Sequence, residues 1–248
     1  MQDRYFGDVG DFGKYGLLRA LCGVKPHAEA LRLGIIWYLV GDESHNADGK
    51  HIAYLERGDY RECDPDLFDT MKATLSLGRA VSQLPSTGLF PADATYFADR
   101  VELAHLHHAD RAERRASWFR AALAATQAAE LVFCDPDNGI ATDAKLLSSH
   151  GDKFVGLTEL ASLHARGQSV VAYHHADRSA VVPVQAQRRA DQLRNATTAE
   201  EILCLRYRRG TTRLFFILPT ADHVKLLRSR VQCFLESSWG QHYDLVAV

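Results

Sequence analysis

The segment Asp135-Pro136-Asp137-Asn138-Gly139 has the residue types of a catalytic or binding turn. It directly follows the apolar run LVFC, which is typical of a buried strand. Proline fixes φ and glycine tolerates positive φ, so the backbone of this turn is held in one shape. A turn that only caps the strand is the alternative. Two carboxylates and one amide so close together favour a site for an amine or a cation.

A second polar segment, GDVGDFGKY at 7–15, contains Asp8, Asp11, Lys14 and Tyr15. It comes just before a predicted helix, whose N-terminus offers free N–H groups and positive potential to a ligand. The pattern is neither a Walker A loop nor the Rossmann glycine motif. Two interpretations stay open: a loop that binds a cofactor, or an N-terminal arm in which Asp11 caps the helix.

A third segment, DESHNADG at 42–49, begins with Asp42 directly after another predicted buried strand. Oxygen ligands together with one histidine suit Mg²⁺ or Mn²⁺, although the spacing is not that of an EF-hand. The segment is therefore interpreted as part of the main site, as a separate metal site or as a solvated loop.

A fourth group is Tyr173-His174-His175-Ala176-Asp177-Arg178, at the end of a predicted strand. We assign His174 as the candidate proton-transfer residue, and His175 and Arg178 to substrate binding. Side chains alternate along a strand, so the two histidines should lie on opposite faces of the sheet. Which of them faces the site is left open.

Basic residues concentrate in two places, either of which could contact the phosphates of a nucleic acid. Surface ion pairs with the acidic residues are the alternative, and the formal net charge of −2 decides nothing. The first group is Arg111, Arg114, Arg115 and Arg120, and the second is Arg206, Arg208, Arg209 and Arg213.

The elements that must position these residues alternate between strands and helices. Apolar runs predict strands at 31–40, 130–139 and 168–175, a short strand at 95–97 and a hairpin at 201–219. Helical patterns cover 14–23, 64–77, 110–129, 158–167, 183–196 and 220–238. This order predicts an α/β fold, a Rossmann-like three-layer sandwich with a mostly parallel sheet and a C-terminal antiparallel hairpin. Ligands bind such sheets beyond the carboxyl ends of the strands.

We expect one domain over 1–248, with a polar, partly helical insertion at about 42–110. The five scattered cysteines contain no CxxC pair and argue against a disulfide framework. The polar, acidic first residues are unlike a secretory signal. No apolar run approaches the roughly 20 residues that span a bilayer. These features predict a cytoplasmic protein without a membrane partner, and they leave the oligomeric state open.

The Asp135-Pro136 turn resembles the catalytic motif of class I SAM-dependent methyltransferases, which in the amino-methylating branch reads (Asp/Asn)-Pro-Pro-(Tyr/Phe). Here Asp137 replaces the second proline and Asn138 the aromatic residue. The region around Lys14 and Tyr15 is also similar to bacterial ribosomal RNA adenine methyltransferases. The segments GDxGDFxKY and DPDNG are similar to segments of bacterial proteins without an assigned activity. The first strand is not followed by the Gly-x-Gly-x-Gly loop of the methyltransferases.

This resemblance implies a methyltransferase-like enzyme that acts on a nucleic acid base or a nucleotide. Asp135 would accept a hydrogen bond from the target amine, and Asn138 would orient it. The residues assigned to SAM binding are Asp8, Asp11, Lys14, Tyr15, Asp42 and Gly139.

Two alternatives remain. The first is a nuclease or phosphohydrolase in which Asp135, Asp137 and Asp42 bind Mg²⁺ or Mn²⁺ and a histidine transfers the proton. The second is a non-catalytic binding module that has kept a degenerate enzyme fold.

Overall fold

A central seven-stranded sheet organises the computed structural model, which describes residues 1–24, 30–43, 49 and 51–248. The strands are β1 (Leu33–Ile36), β2 (Thr95–Phe97), β3 (Leu131–Cys134), β4 (Gly139–Ala141), β5 (Phe154–Gly156), β6 (Ser169–His175), β7 (Leu203–Tyr207), β8 (Arg213–Leu218) and β9 (Tyr243–Val246). The order in the large sheet is β2-β1-β3-β6-β8-β7-β9, and β4 pairs with β5 in a separate small sheet.

The large sheet is mostly parallel. Strands β2, β1, β3 and β6 pair in parallel, whereas β8 is antiparallel to both β6 and β7. Strand β7 therefore points the same way as β6, and only β8 and β9 are reversed. The chain runs from β1 outward to β2 and then returns to β3 on the other side of β1. The strand order thus reverses between β1 and β3, the place where doubly wound sheets bind ligands.

Helices cover both faces of the sheet. They are α1 (Val9–Cys22), α2 (Gly58–Arg61), α3 (Pro65–Leu75), α4 (His108–Ala125), α5 (Asp143–Leu146), α6 (Leu157–Ala165), α7 (Val182–Ala196) and α8 (Val224–Glu236). Two buried cores result: one contains residues of α1, α3 and α8, the other residues of α4, α6 and α7. Along β3, Phe133 lies in the first core and Cys134 in the second, as strand alternation requires. The predicted three-layer α/β sandwich is confirmed.

The predicted start of α3 agrees with its capping geometry. The Asp64 side chain accepts a hydrogen bond from the Leu67 backbone N–H, and Pro65 occupies the first turn. The predicted insertion contributes α2, α3 and β2, and β2 extends the main sheet by pairing with β1.

The glycine-rich segment at 7–15 is mostly helix rather than a loop before one. Helix α1 begins at Val9, because the Asp8 side chain accepts from the Asp11 N–H and caps the helix. The prediction that Asp11 could be the cap is therefore wrong by one turn. Gly10, Gly13 and Gly16 face the side chains of Arg213, Tyr207 and Trp239, each so close that a Cβ atom would collide with it. The glycines serve the packing of α1 against neighbouring elements.

Two further boundaries differ from the predictions. The apolar run at 31–40 forms strand only to Ile36, and the predicted strand at 130–139 divides into β3 and β4 around the Asp135 turn. Strand β9 was not predicted from its sequence. No helix among the described residues is long and apolar enough to cross a membrane.

Candidate functional site

Lys14 lies buried between two carboxylates. Its Nζ donates to Asp11 Oδ1 and to Asp135 Oδ2, both at 2.7 Å. Burial would lower the pKa of Lys14, but Asp11 and Asp135 outweigh that effect and raise it. Burial raises the pKa of the Asp135 carboxyl, opposed by the Lys14 ammonium group. This trio joins α1 to the turn after β3 through the two hydrogen bonds of Lys14.

The Asp11 carboxylate also accepts hydrogen bonds from α1 and from the turn before it. Tyr15, one turn further along the helix, donates its hydroxyl to Asp11 Oδ2 at 3.1 Å. The Gly7 backbone N–H donates to the same oxygen at 3.2 Å. Burial raises the pKa of Tyr15 well above its ordinary value, so the phenol remains a donor. Tyr15 is fully buried, and its contact with Asp11 positions the carboxylate that holds Lys14.

Asp137 belongs to a second network of charged and polar side chains, separate from the Asp11, Lys14 and Asp135 trio. Its Oδ2 accepts from the Gln2 side-chain amide at 3.0 Å and lies 3.4 Å from Lys153 Nζ. Lys153 also donates to Glu43, which follows β1. Burial would raise the pKa of Asp137, but the Met1 amino group, Gln2 and Lys153 lower it. This network connects the segments after β1 and β3 across the point where the strand order reverses.

The turn itself depends on Gly139, whose φ is +112°. A Cβ atom there would collide with the ring and Cα of His174. The exposed residue Asn138 anchors the turn through its backbone, which donates to the Lys153 carbonyl and accepts from the His175 N–H. The backbone of the motif is therefore fixed by its neighbours, as the proline and glycine predict.

The two histidines of β6 lie on opposite faces. His174 is buried against Phe216, and its Nδ1 accepts from the Ile140 backbone N–H at 3.1 Å. Burial lowers its pKa to about 3, so His174 is neutral. His175 lies on the other face, with Nδ1 at 3.3 Å from the Tyr173 hydroxyl. The structure therefore does not bring His174, our candidate for proton transfer, to the site.

Asp8 and Arg213 form a further charged pair near the start of α1. Arg213 Nη1 donates to the carbonyls of Arg209 and Thr211, which fixes the guanidinium plane against the β7–β8 hairpin. Its Nη2 lies 3.7 Å from Asp8 Oδ2. Burial raises the pKa of Asp8, and Asp11 adds to that effect. The pair therefore sits in a poorly solvated position.

These groups surround one cavity of about 390 Å³, a volume ordinary for a small-molecule site. It opens at the carboxyl ends of the parallel strands, beside the reversal between β1 and β3. Its wall is formed by Met1, Tyr5, Asp8, Gly10, Asp11, Lys14, Glu43, Gly49, His51, Asp135, Pro136, Asp137, Asn138, Lys153, Tyr173, His175, Thr211 and Arg213.

Seven of the candidate residues reach the wall of the cavity. They are Asp8, Asp11, Lys14, Asp135, Asp137, Asn138 and His175. Tyr15 and Gly139 do not line the cavity: Tyr15 hydrogen-bonds to Asp11, and Gly139 packs against His174. Asp42 and Arg178 are exposed and lie elsewhere, and Asp42 accepts a hydrogen bond from the Arg4 backbone N–H. Residues 44–48 of the third candidate segment lie outside the described residues.

Sequence reasoning missed Gln2 and Lys153 entirely. Gln2 is fully buried, and its side chain contacts both Asp137 and Glu43. Lys153 lies in the short turn Gly151–Lys153, which has no motif around it. A buried role for a glutamine in a polar N-terminal segment has no signal in the sequence. Arg213 was singled out only as part of a basic group.

The three proposed metal ligands are not brought together. Asp135 and Asp137 share the cavity wall, but Asp42 does not lie on it. Within the described part of the chain, no group of three or more His, Cys, Asp or Glu side chains is arranged to hold a metal ion. The carboxylates on the wall are instead bonded to lysine, glutamine and backbone donors.

Three of the four arginines of α4 contact neighbouring parts of the fold. Arg111 and Arg114 donate to main-chain carbonyls of neighbouring loops, including those of Leu147 and Val101. Arg115 is buried and donates two hydrogen bonds to the Glu159 carboxylate, at 2.7 and 2.9 Å. Arg120, the fourth member of this group, is exposed and pairs with Glu113.

No family model and no curated protein matches this chain. Among solved structures, the crystal structure of protein LPL1258 from Legionella pneumophila str. Philadelphia 1, of family model DUF519, is similar to it. The TM-score is 0.51 at 9% sequence identity, over 96% of each chain. At this identity the likeness supports the α/β fold of the whole chain and nothing about its activity.

Proposed function

We propose that this protein is a SAM-dependent methyltransferase that acts on an amino group of a nucleic acid base or nucleotide. The observation that carries the proposal is the placement of Asp135. It is a buried carboxylate in an Asp-Pro turn, it lies on a cavity wall, and it follows the strand next to the reversal of strand order. Doubly wound sheets bind their nucleotide-like ligands at this position.

The charges of the cavity fit SAM, which carries a sulfonium, an ammonium and a carboxylate group. Among the described residues of the wall, five carboxylates face three cationic side chains and the Met1 amino group: Asp8, Asp11, Glu43, Asp135 and Asp137 against Lys14, Lys153, Arg213 and the Met1 nitrogen. The excess of negative charge favours a ligand with net positive charge. The cationic side chains allow that ligand to carry a carboxylate as well.

The missing glycine loop after the first strand has a local replacement. Beyond β1, the Met1 backbone nitrogen donates to the Tyr38 carbonyl, and the Val40 N–H donates to the Met1 carbonyl, both at 2.9 Å. Met1 and Glu43 line the cavity beyond β1, and in this proposal they would take the place of the glycine loop of a methyltransferase. The cofactor would be held by Asp8, Asp11 and Lys14 on one side and by Asp137 on the other.

When bound, SAM would supply an electrophilic methyl group on its sulfonium. The Asp135 carboxylate would accept a hydrogen bond from the target amine and orient its lone pair towards that group. The exposed Asn138 side chain would contact the base beside it. His175 lines the same cavity and would take the proton that the amine loses, a role first assigned to His174.

We place the protein in the cytoplasm with a nucleic acid or nucleotide substrate. All five cysteines are unpaired, which agrees with a reducing compartment. The metal-dependent nuclease ranks second, because no three His, Cys, Asp or Glu side chains among the described residues are arranged to hold a metal ion.

The proposal is tested by thermal melts of the purified protein with SAM, with its demethylated product and with Mn²⁺. A ligand at about 100 times its Kd stabilises the fold by about 2.7 kcal/mol. For a chain of this length we expect Tm to rise by about 5 to 10 °C with SAM or its product. A rise with Mn²⁺ alone would instead support the metal-dependent hydrolase. No rise with any of the three would leave the binding module as the better description.

A further inference from the structure

Three side chains are cationic among the described residues of the cavity wall, and Arg213 is the least neutralised of them. Lys14 makes two hydrogen bonds to carboxylates, and Lys153 donates to Glu43. Arg213 makes none to a carboxylate among the described residues. Its nearest acid, Asp8, lies 3.7 Å away, beyond hydrogen-bond distance. The guanidinium group therefore keeps donors for an anion that enters the cavity.

The position of Arg213 is fixed in advance of any ligand. Two backbone carbonyls of its own hairpin accept from Nη1, at 2.9 and 3.1 Å. The guanidinium lies directly over Gly10 of α1, where a Cβ atom would collide with it. Only 12% of the side chain is exposed. A preorganised and poorly solvated arginine is suited to binding a carboxylate.

Asp8 completes the arrangement. Its Oδ1 accepts the capping bond from the Asp11 N–H at 2.9 Å, whereas Oδ2 is the oxygen nearest Arg213. The cavity wall thus offers one negative and one positive group a few ångströms apart. An α-amino acid group carries its ammonium and its carboxylate at a similar separation, with the charges reversed.

We propose that Arg213 and Asp8 form a subsite for a zwitterionic α-amino acid group, with Arg213 binding the carboxylate and Asp8 the ammonium. This inference rests on the proposed function, since the group would be the amino acid end of SAM. It makes Arg213 and Asp8 the residues that distinguish SAM from nucleosides without that end.

The test compares two nucleosides by isothermal titration calorimetry: S-adenosylhomocysteine, and 5′-methylthioadenosine, which lacks the amino acid end. Wild-type protein should bind the first at least about 10-fold more tightly, because only the first makes hydrogen bonds between charged groups at the subsite. Arg213→Gln should remove this preference and leave the affinity for 5′-methylthioadenosine unchanged. Unchanged binding of that ligand also shows that the variant is folded.

Two further variants sharpen the test. Asp8→Asn should also reduce the preference, and asparagine keeps the helix cap. Arg208→Gln is the matched control, because Arg208 lies on the same hairpin and pairs with Asp244, away from the cavity. If Arg213→Gln weakens both ligands equally, or neither, the subsite is wrong and the proposed function stands. If wild-type protein binds neither ligand, the proposed function fails, and the subsite fails with it.

Discussion

Two buried ion clusters lie on opposite faces of the sheet and differ in what they leave open. The cavity cluster consists of Asp11, Lys14 and Asp135, on the side of α1. The Arg115 cluster consists of Arg115 and Glu159, on the side of α4 and α6. Both contain charged side chains that are almost fully buried.

The charged groups of the Arg115 cluster have nearly all their hydrogen bonds within the protein. Arg115 donates to both oxygens of Glu159 and to the carbonyls of Gly151 and Phe154. Glu159 also accepts from the Gly156 N–H and the Tyr38 hydroxyl. One positive charge meets one negative charge, and four of the five N–H groups of the guanidinium donate within the protein.

The cavity cluster is unbalanced and borders a cavity. Two carboxylates share one ammonium group, and both line the cavity together with Lys14. Among described residues, the Asp135 carboxylate is hydrogen-bonded only by Lys14, through Oδ2. Burial of an ion pair therefore does not by itself mark a functional site. The imbalance of charge that faces the cavity is the feature on which we base the candidate site.

The largest effect on stability is expected from Arg115→Met, which leaves Glu159 buried without its cation. Loss of one partner of a buried pair costs about 3 to 5 kcal/mol. Urea unfolding measures the loss. Arg120→Met is the control on the same helix, because Arg120 forms an exposed pair with Glu113 and should change stability by less than about 1 kcal/mol. A small effect of Arg115→Met would show that this cluster is not structural.

Asp135→Asn should lower activity strongly and stability only weakly. It keeps the shape of the side chain and leaves Lys14 paired with Asp11, so we expect a smaller loss of stability than for Arg115→Met. Methyl transfer from labelled SAM to RNA or DNA should fall about 100-fold or more, as when one transition-state contact is removed. Asp222→Asn, at an exposed position, is the control. Full activity of Asp135→Asn would remove this residue from the mechanism.

Gly139→Ala tests the turn that carries Asp135 and Asp137. The positive φ and the collision with His174 should destabilise the fold by about 2 kcal/mol. Gly88→Ala is matched to it, because Gly88 has φ of +68° but no atom near its missing Cβ. We expect about 1 kcal/mol there, measured by urea unfolding. Equal losses would mean that contact with His174 adds nothing.

The smallest effect concerns pH. The pKa of His174 falls from 6.5 to about 3 in the folded protein because of burial. The unfolded chain therefore binds the proton more readily than the folded one. The part of the folding stability that depends on neutral His174 is fully present above about pH 6.5 and is lost as the pH falls towards 3. Between pH 6 and 5, wild-type stability should fall more steeply than that of His174→Asn, by up to about 1 kcal/mol. The exposed His105→Asn should follow wild type.

The strands and the polar turn could be predicted from the sequence because their causes are local. The apolar run before Asp135, the proline and glycine around it, and the alternation of His174 and His175 act through neighbours in the chain. The helix at the N-terminus was placed five residues late. Its glycines at 10 and 13 were interpreted as a loop, because the side chains that need them come from residues near the end of the chain.

The sequence alone therefore determined the α/β class, the order of the main elements and the turn at Asp135. Only the tertiary structure decided which charges meet. Lys14 and Asp135 are 121 positions apart, and Asp8 and Arg213 lie even further apart. No local pattern records such a pairing, because a buried ion pair forms only when the sheet and helix have packed and water has been excluded. The same packing buries His174 in the core and places His175 on the cavity wall.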